Sequence, residues 1–254
     1  IVTHNKGETF KKIIETLNIR LGYHIIGVEL SEEGEPLYKP KDFVRNSRDF
    51  GVPQNRPRTY LIGFDTERFS KERLLGLPKE LPKSRKKQLY DNLNDLLEHN
   101  VDAKYYMASG YLDTLIRHRA RQEDKGYGFG YRIVNEPNVE KPIANTLLAT
   151  GGSGRERNLI FDPQEGIAGM EIKGKKTPLN NKGIRIMTPT EWGKLQGFVN
   201  YAFMDGNGND SFSFPEDLPD LQKYKQLGNS VTIPVIEEMA SFILECIDML
   251  MKNN

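Results

Sequence analysis

Apolar residues at Phe10, Ile13, Ile14 and Leu17 recur at the spacing of one helical face, which predicts a helix over residues 8–18. Leu21-Gly22-Tyr23 closes it, and His24-Ile25-Ile26-Gly27-Val28-Glu29-Leu30 then reads as a strand. A polar, turn-rich connection over residues 32–40 leads on to a second strand, Arg58-Thr59-Tyr60-Leu61-Ile62-Gly63-Phe64. Helix, strand, excursion and strand fit the trailing edge of an α/β sheet. They do not make a whole domain, because one helix cannot cover both faces of a sheet. Helical signals return at Thr188-Pro189-Thr190-Glu191, which supplies a capping hydroxyl, a proline at the first helical position and a glutamate three residues after the cap. Gly197 ends that helix. The last element starts near Pro234, where Val235, Ile236, Met239, Ile243, Cys246, Ile247 and Leu250 form one apolar face. Such a face must dock, and the first half of the sheet is the surface it calls for.

The middle of the chain has another character. Residues 66–100 are charged and partly helical, and Pro78, Pro82 and the basic residues 83–87 read as a linker between domains. Over residues 101–182 glycine and aromatics rise and long periodic helices are absent. Gly126-Tyr127-Gly128-Phe129-Gly130-Tyr131 and Gly151-Gly152-Ser153-Gly154 are loop-like, with short β runs at residues 144–149 and 158–161. This is the pattern of a small, irregular, β-rich domain with long loops, and loops of that length are often functional. The expected division is residues 1–80, then 81–183, then a return to the first domain over 184–254.

Composition narrows the class. Hydrophobic residues at 37% and charged residues at 28% describe a globular chain. No apolar run approaches the ~18 residues of a membrane span, and the mixed, polar N-terminus is not a secretory signal. A single cysteine, Cys246, excludes an internal disulfide framework and a cysteine-cluster metal site. The natural setting is reducing and cytoplasmic. The first residue is Ile1 rather than methionine, which suggests a processed or truncated product. The net charge of +1 hides a gradient. Residues 1–103 hold 18 basic and 16 acidic side chains, residues 104–187 hold 14 and 9, and residues 188–254 hold 4 and 10. The basic middle suits phosphates, and it equally suits a solvated surface. His4, His24, His99 and His118 are scattered without metal-ligand spacing, which leaves little support for a histidine-based enzyme and none for a metal site.

Three motifs carry chemistry. Asp49-Phe50-Gly51-Val52-Pro53-Gln54-Asn55-Arg56-Pro57-Arg58 runs directly into the second strand. With strand geometry Arg56 and Arg58 share one face, and two fixed guanidinium groups suit phosphate or a base-edge oxygen. A bare pair of that spacing is usually two surface arginines. The second motif is Arg185-Ile186-Met187-Thr188-Pro189-Thr190-Glu191-Trp192-Gly193-Lys194-Leu195-Gln196-Gly197-Phe198, which is also simply a capped helix. The third is Gln226-Leu227-Gly228-Asn229-Ser230-Val231-Thr232-Ile233-Pro234-Val235, a glycine turn at a helix start with backbone N–H groups and a small hydroxyl to offer.

In this order the three strings resemble the cytosine-5 DNA methyltransferases of restriction–modification type. The first is similar to that family's Gln-x-Arg-x-Arg motif. The second is similar to its Arg-x-Leu-Thr-Pro-x-Glu-x-x-Arg-Leu-Gln-Gly-Phe-Pro motif, with Met187, Lys194 and Val199 as departures. The third is similar to its closing Gly-Asn-Ser-Val motif, and Asn145-Thr146-Leu147 resembles the Thr-hydrophobic signature of its variable recognition domain. The resemblance implies the trailing edge of a Rossmann-like, S-adenosylmethionine-dependent sheet plus a small target-recognition domain. It implies that Arg58 contacts O2 of a flipped cytosine, that Arg56 holds the neighbouring backbone and that Gln54 shapes the edge of the active site. Asn229, Ser230 and Val231 would border S-adenosylmethionine. Thr146, Arg155 and Arg157 would meet double-stranded DNA, the arginines at guanine or phosphate, with Arg117, Arg119 and Arg121 serving phosphates or nothing.

The family's nucleophile is a cysteine thiolate in a Pro-Cys motif, its Glu-Asn-Val glutamate meets N3, and a Phe-x-Gly-x-Gly loop holds the cofactor. None stands in its place here. Cys246 follows Glu245 on an apolar helix face and reads as a buried small hydrophobe. The expectation is a fragment that does not methylate alone, its missing N-terminal half supplied in cis or by a separate subunit. The alternative is a non-catalytic DNA-binding subunit or module of a split or degenerate methyltransferase.

Overall fold

The computed structural model describes residues 1–85, 87–127, 131–151 and 158–252. The α-helices among them are, in chain order, α1 (Glu8–Glu15), α2 (Lys71–Leu75), α3 (Ser109–Glu123), α4 (Pro189–Gln196), α5 (Asp220–Asn229) and α6 (Ile233–Lys252). The chain forms two compact units. The first contains Ile1–Phe50, Pro57–Lys86 and Pro234–Asn254, and the second contains Gly51–Arg56 and Lys87–Ile233. The boundaries expected at residues 80 and 183 differ from this division: residues 81–86 lie in the first unit, and residues 184–233 lie in the second.

In the first unit α1 buries Phe10 and Ile14 and then widens into a π-turn over Thr16–Arg20. Each of the two long strands expected here is broken into pieces that change partner. Tyr23–Ile25 pairs antiparallel with Gly63–Asp65, Tyr23 opposite Asp65. Gly27, at φ +89°, then turns the chain in a conformation that costs other residues energy. Glu29–Leu30 therefore pairs separately with Pro36–Leu37. Likewise Pro57–Thr59 pairs with Val44–Asn46, and the chain changes partner before Gly63. The apolar run did not reveal these switches: Ile25 and Ile26 are buried, but the piece that re-pairs, Glu29–Leu30, is exposed. The buried guanidinium of Arg45 donates to the carbonyls of Asp42, Val44, Leu81 and Pro82. It thereby fixes residues 81–82, which the sequence read as linker.

Helix α6 docks within this unit. Val235, Met239, Phe242, Cys246 and Leu250 join Phe10, Ile14, Ile25 and Phe43 in one core, each large side chain contributing about 1.5–3 kcal/mol. Two residues of the expected face, Ile236 and Ile247, are 37% exposed, and Phe242 takes the inward place. Arg73 donates to the carbonyl of Leu250, and Arg85 pairs with Glu237 and Glu238, so both ends of the helix are tied down.

The second unit has little regular sheet. Asn158–Phe161 lies between Ile184–Ile186, antiparallel, and Arg132–Ile133, parallel. Gln54–Asn55 pairs parallel with Ala144–Asn145. Side-chain amides replace the missing ladder partners. Asn158 accepts from the N–H of Asn145 and donates to its carbonyl, and Asn135 does the same with Phe161. Asn180 donates to the carbonyls of Met107 and Ile184 and accepts from the N–H of Ile184. The run expected to be β over residues 144–149 is strand only at Ala144–Asn145, whereas the run at 158–161 is strand throughout.

Helix α4 has the expected capping box: the Thr188 side chain accepts from the N–H of Glu191, and the Glu191 carboxylate accepts from the N–H of Thr188. Gly197 closes it in the left-handed conformation. The same glutamate takes both terminal nitrogens of Arg185, at 2.9 and 2.8 Å, while Asp162 takes Nε at 2.6 Å. Burial works against the charged form of Arg185, and its bonds to Glu191 and Asp162 outweigh that and raise its pKa. Arg185 and Glu191 are both 0% exposed, so removing one strands the other's charge away from water. Glu191→Ala is expected to lower stability by about 3–5 kcal/mol, read as a fall in the urea midpoint; a loss under about 1 kcal/mol, the value of a surface pair, would contradict it.

Candidate functional site

The motif around Gln54 enters the second unit as a short strand, with Gln54 buried and Asn55 exposed. Pairing with Ala144–Asn145 brings Gln54 beside the Thr-Leu signature. The buried amide of Gln54 accepts from the N–H of Leu147 at 3.4 Å and donates to the carbonyl of Leu195 at 3.2 Å. Thr146 Oγ1 donates to the carbonyl of Asn55 at 2.7 Å.

Arg56 is the hub. It is 3% exposed. Its Nη1 donates to the carbonyl of Leu147 at 2.8 Å, and its Nη2 to the carbonyls of Gly228 at 3.1 Å and Ser230 at 2.6 Å. A guanidinium spreads five donors in a rigid plane, so one side chain can satisfy carbonyls from two distant segments. Gln196 extends the lattice, donating to the carbonyl of Leu227 at 3.0 Å and accepting from Thr232 Oγ1 at 2.8 Å. The three sequence motifs and the Thr-Leu signature therefore meet through the backbone of one unit.

Arg58 has a different fate. It belongs to the first unit, opposite Arg45 in the strand pair of Val44–Asn46 with Pro57–Thr59. Its side chain is exposed, with Nη1 donating to the carbonyl of Pro57 at 2.8 Å. The expectation that Arg56 and Arg58 share a face fails because no single strand contains both. The N–H of Arg56 folds back onto the carbonyl of Gln54, and Pro57 has no N–H to continue a ladder.

The closing motif also differs from the expected turn. Gly228 lies within the last turn of α5 rather than at the start of a helix. A Cβ there would meet main-chain atoms of Leu148 and Ala149 at 2.4–2.5 Å, so the glycine permits backbone-to-backbone packing. Ser230 donates its hydroxyl to the carbonyl of Leu227 at 2.7 Å and bonds the same carbonyl through its N–H. Its neighbours Asn229 and Val231 face solvent, Val231 at 50% exposure. Arg155 and Arg157 lie outside the described residues. Cys246 is fully buried in the first unit's core, where burial pushes its thiol pKa up. Sequence reasoning missed Asn158, Gln196 and Thr232. A buried polar residue leaves no periodic signal, and although the second motif contains Gln196 and the third Thr232, nothing in either gave these residues a role.

A family model described as C-5 cytosine-specific DNA methylase matches residues 1–245. The chain is 36% identical over 244 residues to the type II methyltransferase M.HpaII of Haemophilus parainfluenzae, covering 95% of this chain and 57% of that protein. It is 31% identical over 246 residues to the type II methyltransferase M1.ScrFI of Lactococcus lactis subsp. cremoris, covering 97% and 49%. The chain thus spans about half the length of these relatives. Its fold resembles that of the methyltransferase EhMeth of Entamoeba histolytica, with a TM-score of 0.54 at 21% identity over 93% of this chain and 58% of that one. It also resembles Dnmt2 of S. pombe, with a TM-score of 0.53 at 16% identity over 96% and 63%. No described helix is long and apolar enough to cross a membrane.

Two substitutions test the hub. Arg56→Met removes three charge-assisted bonds and leaves buried carbonyls behind, an expected loss of about 3 kcal/mol in denaturant titration. Gly228→Ala should gain up to about 1 kcal/mol from helix propensity alone. The close approach of Leu148 and Ala149 instead predicts a net destabilisation of about 2 kcal/mol or more, and a neutral or stabilising result would show that contact to be soft.

Proposed function

The chain belongs to the C-5 cytosine-specific DNA methylase family, and we propose that it carries the base-holding and DNA-reading part of a restriction–modification methyltransferase acting at C5 of cytosine in double-stranded DNA. The observation that carries this reading is the convergence of the three motifs and the Thr-Leu signature on Gln54 and Arg56, Arg56 holding Leu147, Gly228 and Ser230 and Gln54 holding Leu147 and Leu195. In this reading the first unit is the trailing edge of a Rossmann-like sheet, and the irregular sheet of the second unit belongs to the target-recognition domain.

Each residue then has a task. Gln54 and Arg56 are positioning residues, since their polar groups engage backbone and hold the segments bearing Thr146 and Ser230. Arg58, the exposed guanidinium, contacts O2 of the extruded cytosine and steadies the base. Thr146 anchors the start of the loop whose Arg155 and Arg157 reach guanine or phosphate in the major groove. Asn229 and Val231 present an amide and an apolar surface to solvent, a combination that fits the edge of an S-adenosylmethionine site but not a whole one. When bound, that cofactor supplies the methyl group. The cytosine ring becomes nucleophilic at C5 only after a thiolate adds to C6. Cys246 cannot serve, being sealed in a core with its thiol form favoured, so the thiolate comes from polypeptide other than residues 1–254.

The chain alone is expected to bind duplex DNA, with affinity falling as salt rises, and to transfer no methyl group. Methyl transfer by residues 1–254 alone would refute the external thiolate. Together with a polypeptide carrying the thiolate, Arg58→Ala should cut the methylation rate by about 100-fold while duplex affinity stays within about threefold. An unchanged rate would remove Arg58 from the site.

A further inference from the structure

The second unit contains a well that the proposed reaction does not use. It has a volume of about 520 Å³ and lies between residues 104–111 and the loop 174–177, within the range of small-ligand sites. Tyr105, Met107, Tyr111 and Ile186 give it an apolar lining, and Lys104, Lys175 and Lys176 stand around it.

Both sides are held in place without a ligand. Asp102 caps the turn that carries Tyr105 by accepting from the N–H of Lys104 at 2.8 Å. The phenol of Tyr105 donates to Asp220 at 2.9 Å, which fixes its ring. On the other side, Lys175 reaches across to donate to the carbonyls of Lys104, at 2.8 Å, and Tyr106. Thr177 Oγ1 accepts from the N–H of Gly110 at 3.0 Å. A Cβ at Gly110 would stand 3.1 Å from Thr177 Cγ2, so the glycine admits the loop. Two segments, one tyrosine-rich and one lysine-rich, are thus pinned around an apolar hollow, and a pre-formed site loses less entropy on binding.

The charges are unequal in availability. Lys104 is paired with Asp220 at 2.9 Å and sits 4.8 Å from the centre of the Tyr105 ring. Lys175 is committed to its carbonyls, with Asp102 nearby. Lys176 is exposed and, among the described residues, has no ion pair. An occupant needs a flat, aromatic body for the tyrosine-lined wall and an anionic group for Lys176. We infer that the well binds a nucleoside monophosphate unit, its base against Tyr105 and Tyr111 and its phosphate at Lys176. Base–aromatic stacking tolerates any base, so recognition is by ring and phosphate rather than by sequence. The unit is either a free nucleotide or one nucleotide of a DNA strand. The inference does not depend on methyl transfer and survives or fails separately from it.

The test is equilibrium dialysis of the full chain against dAMP, dGMP, deoxyadenosine and orthophosphate. Saturable binding of both mononucleotides is expected, with deoxyadenosine and orthophosphate each weaker by about tenfold or more. Tyr111→Ala, at a position 38% exposed in the first turn of α3, should weaken dAMP by about tenfold. Lys176→Gln, a surface change that leaves the fold alone, should weaken dAMP by about fivefold and deoxyadenosine not at all. No saturable mononucleotide binding, or binding that neither variant alters, overturns the inference. A short single-stranded oligonucleotide that displaces dAMP identifies the occupant as a nucleotide within DNA, and failure to displace it identifies a free nucleotide.

Discussion

One buried guanidinium orders the second unit. Removing the charge of Arg56 from water costs several kcal/mol unless every face of it finds an acceptor. The acceptors it finds are backbone carbonyls of Leu147, Gly228 and Ser230. These carbonyls belong to the backbone, so the two segments that bear them must run at the right height and angle. Arg56 therefore imposes a geometric condition on the Thr-Leu segment and on the junction of α5 and α6 together. Gln54, two residues earlier, repeats the device with Leu147 and Leu195. Gly228 makes the condition attainable, since any Cβ would push the α5 terminus off the backbone of residues 148–149.

The same economy runs through the rest of that unit. Its strands are too short for a ladder to satisfy the interior, yet buried N–H and carbonyl groups must be paired. Asn135, Asn158 and Asn180 offer a donor and an acceptor in nearly the geometry of a peptide group, and each stands where a neighbouring strand would have been. Arg185 does the equivalent for charge, joining Asp162 in the loop after the central strand to Glu191 in α4. A domain built this way can keep a fixed frame while its loops vary, because the frame depends on a few polar side chains rather than on strand length.

Local physics made part of this legible in the sequence. The capping box at Thr188 and Glu191, the stop at Gly197 and the strand at Asn158–Phe161 are each specified by residues within a few positions of one another, and each forms as read. The apolar stripe of α6 was read nearly right, with Phe242 inward instead of Ile236 and Ile247. Partner choice was not legible. Nothing in the run from His24 to Leu30 says that the chain turns at Gly27 and pairs with two different strands. Nor does the capped helix α4 announce that its unit includes residues 87–183. Such facts depend on which distant or nearby segment each piece meets, as Tyr23 meets Asp65 and Glu29 meets Leu37.

Arg56 and Arg58 show why the site itself was harder to read than its family. The two have the same side chain, two positions apart, and a strand rule puts them on one face. The rule fails because one strand ends at Asn55 and the next begins at Pro57. The consequence is chemical. Both terminal nitrogens of Arg56 are engaged by backbone, which suits a positioning role rather than contact with a substrate. An arginine left at the surface keeps donors for a base-edge oxygen or a phosphate, which is why the proposed substrate contact rests on Arg58. The two guanidinium groups of the motif thus meet opposite environments, one buried against backbone carbonyls and the other exposed, with Pro57 between them.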